Sequence, residues 1–126
     1  MLVLDSGGVT RLAARTRQTL ALLLELRSRG LWPPLVPSVV LVECLQGHPG
    51  RDAQANRFLK TCDLVVEVPE DVARRATFLR RKARRGSAID ALVVAHAEPG
   101  GIVLTGDQED LDALAQFSEL VRVERI

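Results

Sequence analysis

The stretch Met1-Leu2-Val3-Leu4-Asp5-Ser6-Gly7-Gly8 decides the fold, because a short apolar run ends abruptly at an acidic residue and two glycines. An unbroken apolar run of this length is typical of a strand that is buried on both faces of a parallel sheet. Ligand sites in such sheets lie at the carboxyl ends of the strands. We therefore expect Asp5 to lie at the edge of the sheet where a ligand would bind.

A second apolar run followed by an acidic residue occurs near the end of the chain, where Ile102-Val103-Leu104 ends at Thr105 and Asp107 follows. Helical and strand patterns alternate between these two strands, which indicates an α/β fold with a parallel sheet. The further predicted strands cover residues 35–36, 64–68 and 120–123. The predicted helices cover residues 10–29 (broken near residue 16), 38–46, 51–62, 70–85, 87–98 and 108–117.

The length of 126 residues predicts a single domain, residues 1–126, with a core of Leu, Val and Ala, since only 3% of the residues are aromatic. Two cysteines, Cys44 and Cys62, are too few for a disulfide scaffold, and no signal segment opens the chain. We expect a reducing, cytoplasmic location. The longest apolar run, residues 20–24, is far shorter than the roughly 20 residues of a membrane span, so no membrane association is expected.

Charge is segregated along the chain although the formal net charge is only +1. Residues 74–85 contain seven basic residues and no acidic one, which leaves ten basic against 16 acidic residues of the whole chain. A basic strip beside an otherwise acidic chain suits a polyanionic ligand that approaches an acidic site.

Four carboxylates stand where a strand ends or where a helix is otherwise apolar: Asp5, Glu43, Asp90 and Asp107. Burying a charged carboxylate costs several kcal/mol unless a cation, a strong donor or a proton compensates for it. The pattern therefore predicts a divalent-metal site. Oxygen ligands without a Cys or His cluster favour hard cations such as Mg²⁺ or Mn²⁺ over zinc.

Each carboxylate also has a structural interpretation that the residues leave open. Asp90 follows Ser87 at the spacing of a capping box. Asp107, together with Glu109 and Asp110, could be an acid near the first turn of a helix, where the helix dipole stabilises negative charge. Asp5 could bond the amides of its own turn. Glu43, surrounded by apolar residues on nearly every side of its predicted helix, could pair with an arginine.

Four sequence blocks together resemble the PIN-domain ribonucleases, specifically the VapC-type toxins of type II toxin–antitoxin systems. The blocks are Leu2-Val3-Leu4-Asp5-Ser6, residues 39–47 around Glu43, Ala88-Ile89-Asp90-Ala91-Leu92-Val93-Val94-Ala95-His96-Ala97, and Leu104-Thr105-Gly106-Asp107-Gln108-Glu109-Asp110-Leu111. Their order and the chain length match the family, and the resemblance runs from Met1 to the last strand.

The resemblance implies a three-layer, PIN-like α/β fold with a central, mostly parallel sheet of four to five strands flanked by helices. It also implies an Mg²⁺- or Mn²⁺-dependent endoribonuclease that acts as the toxin of its pair. The implied partners are an RNA substrate, a second copy in a homodimer, and a small VapB-like antitoxin whose C-terminal segment would occupy the acidic groove.

The resemblance further implies roles for individual residues. Asp5, Asp90 and Asp107 would bind the metal, while Glu43 would bind a second metal or orient the attacking water. The family often carries a second hydroxyl where this chain has Gly7. The implied catalytic quartet is Asp5, Glu43, Asp90 and Asp107, and the supporting residues are Ser6, Thr105 and Asp110.

Arg81, Lys82, Arg84 and Arg85 precede the helix of Asp90, so they are the predicted contacts for RNA phosphates. The alternative is a basic helix face that is merely solvated. No other potential metal ligand lies at a suitable spacing from His96. A histidine near the C-terminus of a helix is favoured by the helix dipole, which accounts for its position.

Other functions remain as alternatives to the toxin. The chain could be a catalytically inactive PIN-like module that binds RNA or protein, or a PIN nuclease of RNA processing that is not a toxin. The segment 5–10 also looks like the phosphate-binding loop of sugar kinases, but those folds need a much longer chain. A haloacid-dehalogenase-type phosphatase would need an aspartate in place of Gly7.

Overall fold

Five short strands form one all-parallel sheet in the computed structural model, which describes residues 1–126. The sheet order is β3-β2-β1-β4-β5, and Val3 in β1 pairs with Leu35 on one side and Val103 on the other. The prediction of a mostly parallel sheet of four to five strands is confirmed. The strands are β1 Leu2–Leu4, β2 Leu35–Pro37, β3 Asp63–Val65, β4 Ile102–Thr105 and β5 Arg122–Arg125.

Seven α-helices flank the sheet in two groups. Helix α1 contacts α2, α3 and α4, whereas α5, α6 and α7 contact one another. Because parallel crossovers are right-handed, connections that run to opposite edges of the sheet place their helices on opposite faces. The predicted three-layer α/β architecture is confirmed. The helices are α1 Ser6–Ala13, α2 Arg17–Ser28, α3 Leu41–Cys44, α4 Pro49–Leu59, α5 Glu70–Ala83, α6 Ala88–Ala97 and α7 Glu109–Ala115, and a 3₁₀ turn covers Ser38–Val40.

The strand order reverses between β1 and β4. From β1 the chain moves outward through β2 to β3, and it then returns across the sheet to β4 and continues to β5. In open α/β sheets a crevice forms outside the carboxyl ends of the strands at such a reversal. Asp5 follows β1 and Thr105 ends β4, so both residues lie at this crevice.

The core is one cluster of 24 buried apolar residues. The residues of β1 are at most 2% exposed, and those of β4 are at most 4% exposed, as expected for strands that are covered on both faces. In α6, Val93 and Val94 are fully buried. The strands that carry the candidate site are therefore the most deeply embedded elements of the sheet.

Helix α1 begins at Ser6, four residues before the predicted start. The carboxylate of Asp5 acts as its N-cap and accepts a hydrogen bond from the amide of Gly8 (2.7 Å). This cap lets the glycines enter the first helical turn instead of ending the strand in a loop. The predicted break near residue 16 is confirmed, because Thr16 caps α2 by accepting from the amide of Thr19.

The predicted helix over residues 38–46 is wrong in its extent. Ser38 does not cap a helix, because its hydroxyl donates to the carbonyl of Val66 (3.0 Å). The 3₁₀ turn precedes α3, which is a single helical turn that ends where Leu45 becomes extended. Helix α4 begins two residues before its predicted start and is capped by His48.

The remaining elements agree with the predictions apart from their ends. Strand β3 ends at Val65, earlier than predicted, and α5 ends before Arg84, whose φ of 56° leaves the helical region. Strand β5 is shifted by two residues because Leu120 has a positive φ of 61° and is 80% exposed. None of the helices combines the length and the apolarity needed to cross a lipid bilayer.

Candidate functional site

A pocket of about 250 Å³ opens at the reversal point of the sheet, and carboxylates from three separate parts of the chain line it. They come from the end of β1, from the first turn of α6, and from the loop and helix after β4. Three members of the predicted quartet are thus brought to one place. The lining residues are Asp5, Ser6, Gly7, Asp90, Gly106, Asp107, Asp110 and Leu111.

Asp5 is the most buried of these carboxylates, with 9% of its surface exposed. Its Oδ1 accepts from the amide of Gly8, and its Oδ2 accepts from the hydroxyl of Thr105. Burial raises the pKa of Asp5, the two hydrogen bonds lower it, and the nearby charge of Asp90 raises it further, so that the net shift is upward. A buried carboxylate whose charged form is disfavoured is typical of a functional site.

Thr105 orients this carboxylate. Its hydroxyl is fully buried and lies within hydrogen-bonding distance of Asp5, of the Asp107 carbonyl (2.9 Å) and of the Asp107 amide (3.0 Å). A hydroxyl has one proton to donate, and an ionised carboxylate can only accept. When Asp5 is charged, Thr105 therefore donates to Asp5 and accepts from the Asp107 amide, which links the ends of β1 and β4.

Asp90 is a capping residue, as its spacing from Ser87 predicted, and it also lines the pocket. It forms a capping box with Ser87: the Asp90 amide donates to the Ser87 hydroxyl (3.0 Å), and the Ser87 amide donates to Asp90 Oδ2 (3.0 Å). Only Oδ2 is used in this cap. The same side chain lines the pocket, so capping positions Asp90 there without consuming both of its oxygens.

Asp107 and Asp110 also line the pocket, and both are more exposed than Asp5. Asp107 is exposed, and its Oδ1 accepts a long hydrogen bond from the amide of Glu109 (3.3 Å). Asp110 is in the first turn of α7, as the dipole interpretation expected, and it accepts from Arg85 Nε (2.7 Å). Arg85 also contacts Glu109 (2.8 Å), so this predicted RNA-binding arginine already has two carboxylate partners.

The structure does not bring Glu43 into the pocket. Glu43 is exposed on α3, which packs against α1, and the expectation that its apolar neighbours would surround it is wrong. Its neighbour Val42 is itself 79% exposed, because the single turn of α3 lies on the surface. The predicted role of Glu43 as a second-metal ligand or base has no support from this geometry.

The chemistry of the pocket fits a hard divalent cation, since every charged donor is a carboxylate oxygen. No group of three or more His, Cys, Asp or Glu side chains is arranged to hold a metal ion by itself. Mg²⁺ usually keeps several waters and binds through one or two carboxylates together with substrate phosphates. Asp5 and Asp90, which are close enough for one charge to affect the other, fit that mode of binding.

Three of the predicted RNA-binding residues are free at the end of α5. Arg81, Lys82 and Arg84 are exposed and form no ion pair. Other arginines of the basic strip are engaged: Arg75 binds Glu98 through two hydrogen bonds (2.8 and 2.9 Å). The basic strip is therefore partly structural and partly available to a ligand.

Two further residues, Asp52 and Arg11, were not singled out by sequence reasoning. Asp52 is 6% exposed and accepts from the amides of residues 46, 47 and 48, so that it holds the turn before α4. Arg11 does not itself line the pocket, but its Nε lies 3.4 Å from the point that a β-carbon on Gly106 would occupy, and Gly106 does line it. The sequence could have indicated Arg11 through its spacing from Gly7, since residues four apart lie on the same face of a helix.

No protein-family model matches this chain, and a search of curated protein sequences also gives no match. The geometry of the acidic pocket and the four sequence blocks are therefore the basis for a functional proposal.

Proposed function

We propose that the protein is a metal-dependent endoribonuclease that hydrolyses RNA phosphodiester bonds. The observation that carries this proposal is the convergence of Asp5, Asp90 and Asp107 on one pocket at the reversal point of a parallel sheet. Such pockets are the usual ligand sites of this architecture. Acidic oxygens with no soft ligand among them favour Mg²⁺ or Mn²⁺ as the cofactor.

Asp5 and Asp90 would hold the cation, and Asp107 would bind it directly or through water. Bound there, a divalent cation supplies an activated water and neutralises negative charge on the leaving oxygen. Thr105 and the Gly8 amide fix both oxygens of Asp5 in place, and Ser87 fixes Asp90. In the overall reaction an oxygen of water bonds to phosphorus, and the ribose oxygen leaves and takes up a proton.

The substrate phosphates would contact Arg81, Lys82 and Arg84. These side chains end α5, and the next helix, α6, carries Asp90 in its first turn. Positive charge next to a pocket of carboxylates lets a polyanion approach a site that would otherwise repel it. Their exposure and freedom from ion pairs support this role.

The experiment that tests the proposal compares Asp90→Asn with Asp71→Asn on a single-stranded RNA in the presence of Mn²⁺. Asn keeps an oxygen for the Ser87 amide, so the Asp90 variant retains its cap, and Asp71 is an exposed acid in α5 that serves as the control. We expect cleavage to fall by about 100-fold or more for Asp90→Asn only. Excess chelator should abolish cleavage by the wild type. Equal cleavage by both variants, or cleavage that resists chelator, would refute the proposal.

A second candidate is a catalytically inactive PIN-like module that binds RNA or protein. Two observations favour it: no three acidic side chains are arranged to hold a metal by themselves, and Asp110 is paired with Arg85. Binding of RNA without cleavage in Mg²⁺ and in Mn²⁺ would identify this module.

We also propose that the nuclease is the toxin of a type II pair, active as a homodimer and inhibited by a small VapB-like antitoxin. The support is the resemblance of the four sequence blocks. A short upstream reading frame for a small DNA-binding protein, whose product suppresses the growth arrest caused by this chain, is the expected finding. Expression without growth arrest would instead favour a PIN nuclease of RNA processing.

A further inference from the structure

The geometry points to Arg11 as a residue that binds an RNA phosphate at the rim of the acidic pocket. This inference rests on the proposed ribonuclease function and assigns a substrate contact to the opposite side of the pocket from the basic end of α5. Arg11 is exposed in the last turn of α1, the helix that Asp5 caps.

Arg11 lies next to a glycine that lines the pocket. Its Nε lies 3.4 Å from the point that a β-carbon on Gly106 would occupy, and Gly106 lines the pocket. This is an ordinary van der Waals distance, so the guanidinium lies against the loop that forms this part of the pocket. Gly7, which also lines the pocket, precedes Arg11 by one helical turn on the same face of α1.

Close packing holds α1 in this place. A β-carbon on Gly7 would lie 2.9 Å from the amide nitrogen of Gly106, so the first turn of α1 directly contacts the loop after β4. A side chain at residue 7 would displace that loop. The backbone that carries Arg11 is therefore positioned by the same contact that forms one wall of the pocket.

The guanidinium of Arg11 has no partner in the protein. It forms no ion pair with any carboxylate within 4.0 Å, although the neighbouring pocket is acidic. Arg85, at the other side of the pocket, is held by Glu109 and Asp110. Because a guanidinium presents planar, paired donors that match phosphate oxygens, an unpaired arginine at this rim is suited to an anionic ligand.

The two helix layers then supply positive charge on both sides of the pocket. Arg11 comes from the layer of α1–α4, whereas Arg81, Lys82 and Arg84 come from the layer of α5–α7. A single RNA strand that crosses the edge of the sheet would place phosphates against both layers. Arg11 would bind a phosphate on one side of the cut, and the end of α5 would bind phosphates on the other side.

The test measures RNA binding separately from cleavage. In an Asp5→Asn background, the affinity for a fluorescent single-stranded RNA oligonucleotide is measured against salt with Arg11→Gln and, as the matched control, Arg122→Gln. Arg122 is exposed and forms no ion pair. It is the first residue of β5 and lies beside Ile102, the first residue of β4, at the end of the strands away from the pocket. Both variants lose one charge in the same way.

We expect Arg11→Gln to weaken binding about 10-fold or more and to lower the slope of log K against log salt by about 0.7. Arg122→Gln should change neither value, and Arg11→Lys should recover the slope but only part of the affinity. Equal effects of Arg11→Gln and Arg122→Gln would overturn the inference. Cleavage is measured separately, in the wild-type protein with Asp5 in place. If that protein does not cleave RNA, the nuclease proposal is refuted, and the binding measurements still decide whether Arg11 contacts RNA.

Discussion

Asp5 and Asp52 are the two buried carboxylates of the protein, and their surroundings compensate for burial to different degrees. Backbone amides surround Asp52: the bonds from Gln46, Gly47 and His48 lower its pKa in spite of burial. At Asp5, one amide and one hydroxyl leave the pKa raised. Three backbone amides thus compensate for the burial of Asp52, whereas one amide and one hydroxyl compensate only in part for the burial of Asp5.

This contrast predicts opposite effects of the same substitution at the two positions. Asp5→Asn should preserve or raise stability in the absence of metal, since the Asn amide can donate to Thr105 and its oxygen can still accept from Gly8. Asp52→Asn should lose stability, because an amide group would face backbone N–H donors. Urea unfolding at neutral pH measures both effects. A loss for Asp5→Asn as large as that for Asp52→Asn would contradict this account.

His96 provides a prediction about pH. Its Nε2 is buried without a hydrogen-bond partner, and burial lowers the pKa of its imidazole. The unfolded chain therefore binds a proton at higher pH than the folded protein does. The contribution of neutral His96 to stability should be fully present above the unfolded pKa of about 6.5 and should be lost as the pH falls below that value.

The measurement is the free energy of unfolding against pH for the wild type and for His96→Leu. The variant should lose less stability on acidification, because it has no imidazole to protonate in the unfolded state. Parallel profiles for the two proteins would show that His96 titrates alike in both states and would contradict the prediction.

At the scale of elements, the contact between the start of α1 and the end of β4 builds the site. A β-carbon on Gly8 would overlap the carbonyl oxygen of Leu104, so Gly8→Ala should cost about 1–3 kcal/mol of stability. Gly50→Ala is the control, because its β-carbon would meet only the exposed side chain of His48 and no backbone atom. Chemical denaturation distinguishes them, and equal stability of the two variants would show that the α1–β4 contact is looser than described.

The end of α5 can be tested as a unit. Replacing Arg81 and Arg84 by Gln should lower the salt slope of single-stranded RNA binding by about 1.4, since each lost phosphate contact contributes about 0.7. A double variant at Arg51 and Arg122, two exposed arginines without ion pairs, is the matched control. An unchanged slope in the α5 variant would mean that this surface is only solvated.

The elements that could be predicted are those whose pattern agrees with their packing. Strands β1 and β4 are continuous apolar runs, and the cap at Ser87 marks the start of α6. Helix α3 could not be predicted in the same way. The mostly apolar composition of residues 39–45 is compatible with a buried helix, but only tertiary contacts show that α3 is one exposed turn.

At the scale of the whole molecule, part of the site could be predicted from the sequence and part depends on tertiary contacts. The gathering of Asp5, Asp90 and Asp107 follows from parallel topology, because the ends of β1 and β4 meet at one edge. The position of Glu43 depends on where α3 ends. The pairing of Arg85 depends on how α7 packs beside α5, and no local pattern encodes that contact.

The topology also places a helix on each side of the acidic pocket. Because the strand order reverses between β1 and β4, α1 covers one face of the sheet at this point and α6 covers the other. The strands below the pocket are buried, and Asp5 at the end of β1 is itself only 9% exposed, whereas Asp107 is exposed.

Titration of the protein with Mn²⁺ by isothermal calorimetry tests the central claim most directly. We expect the wild type and Asp71→Asn to bind Mn²⁺, and we expect Asp90→Asn to bind it at least about 10-fold more weakly, since a carboxylate that lines the pocket is lost. Absence of binding to the wild type, or equal affinity in Asp90→Asn, would show that the gathered carboxylates do not form a metal site.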